Sequence, residues 1–115
     1  MDLIIVNGRI ARTHRDNVFT GVNTFAGLKY AVVVKNTNYT LTDLDCVVVF
    51  TATASATLPL ATGSGQIYYI KNVGTGTVTI TRSGSNTIDN ETTQPISQWE
   101  SVTLVDYLSG KWIII

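Results

Sequence analysis

Gln66-Ile67-Tyr68-Tyr69-Ile70-Lys71-Asn72-Val73-Gly74-Thr75-Gly76-Thr77-Val78-Thr79-Ile80-Thr81 decides how the chain is read. Val78 and Ile80 alternate with Thr77, Thr79 and Thr81, the two-residue period of a strand with one buried face. Residues 66–72 form a second strand-like run. The glycine-bearing Val73-Gly74-Thr75-Gly76 between the two runs predicts a tight hairpin loop.

Working outward, the same signals recur at close spacing. Strands are expected at 30–35, 39–42, 46–51, 56–60, 101–107 and 111–115, with short pieces at 87–88 and 95–98. Ser109-Gly110 marks a second tight turn, Ala61-Thr62-Gly63-Ser64-Gly65 and Ser83-Gly84-Ser85-Asn86 are longer loops, and Pro59 places Leu58-Pro59-Leu60 at a sheet edge or bulge. Of 115 residues, 18 are Thr, 13 Val and 11 Ile, a β-branched excess that packs well on pleated sheets. No amphipathic helical segment interrupts it. The fold class expected is all-β: an antiparallel β-sandwich of jelly-roll-like type over 28–115, preceded by an extended N-terminal arm over 1–27, with a continuous antiparallel barrel as the runner-up.

The arm has its own character. It holds Arg9, Arg12 and Arg15 against Asp2 and Asp16, while 28–115 carries one net negative charge. Leu3-Ile4-Ile5-Val6 and Arg9-Ile10-Ala11-Arg12 flank Asn7-Gly8, the favoured two-residue hairpin turn, which would pair Val6 with Arg9, Ile5 with Ile10 and Ile4 with Ala11. A lone hairpin is marginal in water, so this one docks on its own domain or on a neighbouring chain. Asn17-Val18-Phe19-Thr20-Gly21 is echoed by Asn23-Thr24-Phe25-Ala26-Gly27. Two such units cannot bury Phe19 and Phe25 alone; three chains presenting both rings around an axis would do so, and the alternative is an ordinary linker with both rings tucked against the domain. Val47-Val48-Val49-Phe50 and Ile113-Ile114-Ile115 are apolar on both faces, which calls for a second sheet or another subunit on their outer sides.

Composition excludes several chemistries. Formal charge is zero and no basic stripe is present, which argues against nucleic acid as a partner. One His (His14) and one Cys (Cys46) close no zinc site and no internal disulfide within one chain. Apolar runs of four or five residues are too short to cross a bilayer, and Asp2 stands where a signal peptide wants positive charge, so the expectation is a soluble, unprocessed protein without a membrane partner. His14 reads as an exposed arm residue and Cys46, at the start of a valine run, as a small structural hydrophobe. Asp43, Asp45 and the Asp89-Asn90-Glu91 cluster read as turn and strand-end acids rather than a calcium cage or glycosidase pair. No catalytic residue, metal ligand or cofactor is expected. Among ligands, sugars remain: Tyr39, Tyr69 and Tyr107 are the candidate stacking faces, Tyr68 pointing opposite to Tyr69. The sequon matches at Asn38 and Asn90 carry no weight without a secretory signal.

The run from Thr57-Leu58-Pro59-Leu60 through Lys71-Asn72-Val73-Gly74-Thr75-Gly76, Asn86-Thr87-Ile88-Asp89 and Trp99-Glu100-Ser101-Val102 to Ser109-Gly110-Lys111-Trp112 resembles β modules of bacteriophage virion proteins, especially tail fibres and related surface appendages. The 19–27 stretch also looks like fibre-shaft sequence. The resemblance implies a homotrimer on the virion surface, made in the host cytoplasm, with no catalytic residues to carry over. The near absence of a shaft favours a capsid decoration, cement or head-fibre protein. Its arm would attach to a capsid, collar or tail protein through Leu3, Ile4, Ile5 and Val6 by strand pairing, with Arg9, Arg12 and Arg15 meeting carboxylates. Phe19 and Phe25 would be trimer contacts. A tail-fibre-type tip recognising host surface glycans is the alternative.

Overall fold

The computed structural model describes residues 3–6, 9–12 and 16–115. Strands β1 (Leu3–Val6) and β2 (Arg9–Arg12) pair antiparallel, with Val6 opposite Arg9, Ile5 opposite Ile10 and Ile4 opposite Ala11. This is the register expected of a two-residue loop; Asn7-Gly8, His14 and Arg15 themselves lie outside the described residues. Residues 16–31 carry no strand and are exposed throughout.

The remaining strands are β3 (Val32–Lys35), β4 (Tyr39–Thr40), β5 (Val47–Phe50), β6 (Ala54–Thr57), β7 (Ile67–Asn72), β8 (Val78–Thr81), β9 (Thr87–Ile88), β10 (Thr93–Ile96), β11 (Ser101–Leu108) and β12 (Lys111–Ile114). No helix occurs among the described residues, so the chain is all-β as expected. Two sheets form, a six-stranded one in the order β3-β5-β7-β11-β12-β9 and a four-stranded one in the order β10-β8-β6-β4.

The expected antiparallel pairing is corrected. From β3 to β11 the chain alternates between sheets at every strand, and through β8 each returning strand runs parallel to the one before it in its sheet: β3, β5 and β7 in one, β4, β6 and β8 in the other. A parallel neighbour needs a crossover, and here the crossover is a strand of the facing sheet. Only β10 on β8, β11 on β7 and β12 on β11 are antiparallel in the two large sheets, and β9 joins β12 parallel. The Val73–Gly76 hairpin is therefore also corrected: this loop carries the chain from β7 across to β8 in the other sheet. The Ser109-Gly110 turn does join paired strands, with a bulge between Asp106 and Leu108. Pro95 costs no ladder bond because β10 is an edge strand, whereas Pro59 lies past the end of β6.

Pleating sorts the side chains. Val48 and Phe50 on β5, Tyr68 and Ile70 on β7, and Leu104 on β11 are fully buried; they face Ala54 and Ala56 on β6 and Val78 and Ile80 on β8. The small alanines leave room for Phe50, Tyr68 and Trp112, the three largest buried side chains. Trp112 stacks at a tilt on Tyr68, ring centroids 5.5 Å apart, and its indole N–H donates to the Pro59 carbonyl at 3.1 Å. Trp112→Phe is expected to cost about 2 kcal/mol, from lost packing volume plus a carbonyl left unpaired. Equilibrium denaturant unfolding would measure it, and an unchanged midpoint would show that the indole is not the plug of this end of the core.

Candidate functional site

Three regions offer themselves: the segment before β3, the outer faces of the sheets, and the clefts at the sandwich ends. In the first, Val18, Val22 and Phe25 are 88%, 99% and 59% exposed, and Phe19 is 38% exposed. A single copy does not seal the Phe repeat. Leu28 and Tyr30 continue the exposed apolar run to the edge of β3.

The two outer sheet faces differ in chemistry. On the four-stranded sheet Ser55 lies opposite Thr79 and Thr57 opposite Thr81, all on the side away from the buried alanines, Val78 and Ile80. This face is hydroxyl-lined and suits water. On the six-stranded sheet the registers place Val34, Val49, Lys71 and Ser101 in one outward row. Val32, Val47, Tyr69 and Thr103 form the next, and Ile67, Val105 and Ile113 a third. Val32 and Val34 are 62% and 61% exposed. Tyr30 packs over Tyr69 with ring centroids 5.6 Å apart. The Lys71 ammonium donates to the carbonyl of Trp99 at the end of the sheet.

Trp99 is an exposed indole held at φ 70°, a conformation a bulky residue adopts only under constraint. The constraint is visible: the Trp99 backbone N–H donates to the Asn72 carbonyl at 2.7 Å, and the Glu100 carboxylate caps the turn by accepting the Ser97 N–H at 2.7 Å.

The larger cleft, of about 960 Å³, runs past Asp16, Thr42, Asp43, Leu60, Gln66 and Ile67. Its aromatic walls, Tyr68 and Trp112, are buried and offer no ring face to a ligand. The Tyr68 hydroxyl donates to the Thr42 carbonyl at 2.7 Å, and burial, with the charges of Asp45 and Asp43, raises its pKa. Cys46 sits half-buried on the same wall, its thiol pushed up by burial.

Asp106, nearly fully buried at this end, is a polar centre that sequence reasoning missed. Its carboxylate accepts the amides of Thr62 (3.0 Å), Gly63 (2.7 Å) and Ser64 (3.2 Å) and the Ser64 hydroxyl (2.7 Å). Burial alone would raise its pKa; the hydrogen bonds from Thr62, Ser64 and Gly63 outweigh that and hold it below the ordinary carboxylate value. The available signal was phase, since Asp106 falls two residues after Leu104 in a period-two strand.

The nominated tyrosines are not brought together. Tyr39 lies on β4, its hydroxyl donating to Asp45 at 2.8 Å and its ring covered by the Lys35 ammonium 4.3 Å from the centroid. The hydrogen bond to Asp45, with burial and that same charge, raises its pKa. Tyr69 is on the outer face of the six-stranded sheet. Tyr107, 48% exposed, lines a cleft of about 240 Å³ with Asp89, Asn90 and Lys111.

The acidic clusters are turn acids, as read from the sequence. Asp45 accepts the Thr42 N–H at 2.8 Å besides Tyr39. Asp89 and Asn90, at φ 50° and 65°, form the two-residue turn between Ile88 and Glu91, whose N–H and C=O groups bond reciprocally at 2.9 Å. Among the described residues no group of three or more His, Cys, Asp or Glu is placed to hold a metal ion. Leu3, Ile4, Ile5, Val6, Arg9 and Arg12 are described through their strand pairing alone.

No protein-family model, curated protein or solved structure matches the chain.

Proposed function

We propose that this protein is a non-enzymatic structural component of a bacteriophage particle, a homotrimer that decorates or cements the capsid or forms a short head fibre. Residues 1–27 attach it to a capsid, collar or tail protein and 28–115 projects outward on the virion surface. The observation that carries the reading is the strand-free, exposed stretch from 16 to 31, with Val18, Val22 and Phe25 largely in water. An extended apolar segment of that kind gains free energy only by laying itself on another surface. Three arms on one trimer would engage together, so none needs to bind tightly alone.

Native mass measurement and equilibrium sedimentation are expected to give three copies. A monomer at the highest soluble concentration would overturn the trimer. Deleting residues 1–27 is expected to leave the near-ultraviolet dichroism of 28–115 intact while abolishing incorporation into particles; normal incorporation would remove the arm's role. Tyr107 favours a second reading, a tail-fibre-type tip for host glycans, because a half-exposed ring beside Asp89, Asn90 and Lys111 supplies a stacking face with polar groups at its rim. Glycan binding lost on Tyr107→Ala would support it.

A further inference from the structure

We infer that the outer face of the six-stranded sheet is the surface through which copies of this chain pack on one another. The inference rests on the self-assembly part of the proposed function but not on any particle.

One sandwich carries two opposite kinds of outer face. The four-stranded side shows Ser55, Thr57, Thr79 and Thr81, while the six-stranded side shows Val32, Val34, Val47, Val49, Val105 and Ile113 in contiguous rows. A strand facing water on one side alternates apolar and polar, as β8 does; β5 is valine on its outer side as well. The outer valines are thus placed as for a buried layer.

The occupant follows from shape, charge and area. A flat apolar sheet is covered well by the same surface of other copies, and three such faces turned toward one axis cover each other in the trimer proposed above. Lys71 is the one charge in the three rows, and its ammonium is already bonded to the Trp99 carbonyl at the sheet's end. Neighbouring copies therefore bury no carboxylate from these rows, and a formal charge of zero adds no repulsion between them. The three rows hold eleven outward positions, each about 4.8 Å by about 6.8 Å, which gives a face of roughly 360 Å². A stable association wants about 800 Å² per copy, and Phe25, Leu28 and Tyr30, exposed just ahead of the edge strand β3, extend the patch toward it. The interface so placed is centred on the sheet, with Phe25 at its margin.

The test is Val34→Glu with Val49→Glu in the full chain, followed by sedimentation equilibrium and near-ultraviolet dichroism from buried Trp112. Association is expected to weaken roughly 100-fold or more, because each copy would bring two unpaired carboxylates into the buried face. Thr79→Glu on the hydroxyl-lined face is expected to leave it unchanged. An oligomer that survives the double substitution would place the interface elsewhere and overturn this inference while leaving the assembly reading intact. A wild-type chain that is monomeric would overturn both. Should the double variant lose its dichroism, Val34→Glu alone, at a position 61% exposed in one copy, decides the matter by the same mass criterion.

Discussion

Asp106→Ala is expected to lower the free energy of unfolding at neutral pH by about 3–5 kcal/mol, the range for breaking a buried charged network. The loop from Ala61 to Gly65 is tied by backbone bonds only at its ends, Gly65 N–H to the Asp106 carbonyl and Gly110 N–H to the Ala61 carbonyl, and by a bridge between Thr62 and Ser109. Three of its consecutive amides instead point at one carboxylate, as backbone N–H groups do around a bound anion. Removing the carboxylate orphans those amides at a site where Asp106 itself is only 2% exposed. Asp106→Asn keeps the volume and one accepting oxygen, so it should recover part of the loss. The charge also fixes a pH dependence. Because the folded-state pKa is lowered, the contribution is fully present above the unfolded carboxyl value of about 4 and is lost as pH falls through the lower folded value. Wild-type stability should therefore fall across that acid window more steeply than that of Asp106→Asn. Parallel pH profiles for the two proteins would deny the carboxylate this role.

Which parts of this architecture can be read without coordinates depends on how local their causes are. The β1–β2 register follows from the length of a turn inside twelve residues, so it was legible. The positions of the strongly alternating strands were legible too, because Val78, Ile80, Val102 and Leu104 repeat at period two whatever they pair with, whereas the strands expected at 56–60 and 95–98 begin two residues earlier, at Ala54–Thr57 and Thr93–Ile96. Parallel and antiparallel ladders impose that same period, and for this reason the winding between sheets was not. Asn72 was the clue. It falls in phase with Tyr68 and Ile70, points inward and is fully buried, where a hairpin's last residue would find solvent or its partner strand. Its amide donates to the carbonyls of Gly76 (2.7 Å) and Ile96 (3.0 Å), and its oxygen accepts the Gly74 N–H (2.9 Å). The side chain thus folds the loop over the end of the sandwich. Asp106 obeys the same logic, since an in-phase polar residue marks where a crossing loop must supply partners, though the phase does not say which loop. The apolar outer flank of 47–50 was legible as a demand for cover, and the structure locates that demand on β3, β5 and the outward rows beyond them.

Gly74→Ala is expected to destabilise the protein by about 3 kcal/mol, the upper end for inserting a methyl group where there is no room. The reason is space rather than backbone conformation, since φ at Gly74 is not in the left-handed region. A Cβ there would sit 2.6 Å from the Thr51 carbonyl carbon and 2.9 Å from the Ala52 nitrogen, both backbone atoms. The crowding follows from the winding. Residues 51–53 carry the chain from β5 to β6, residues 73–77 carry it from β7 to β8, and parallel pairing of β5 with β7 and β6 with β8 stacks the second crossing directly on the first. Neither backbone can yield without shifting a strand in each sheet. Gly76 makes the contrast: its added Cβ would meet chiefly the Thr53 hydroxyl, and Gly76→Ala combined with Thr53→Ala should recover most of the cost of Gly76→Ala alone. No partner truncation can rescue Gly74→Ala, because what it strikes is main chain. Denaturant midpoints for the three variants measure this ordering. A Gly74→Ala protein within about 0.5 kcal/mol of wild type, the ordinary range for a harmless surface change, would mean that the two crossings do not stack and that the parallel winding is misplaced.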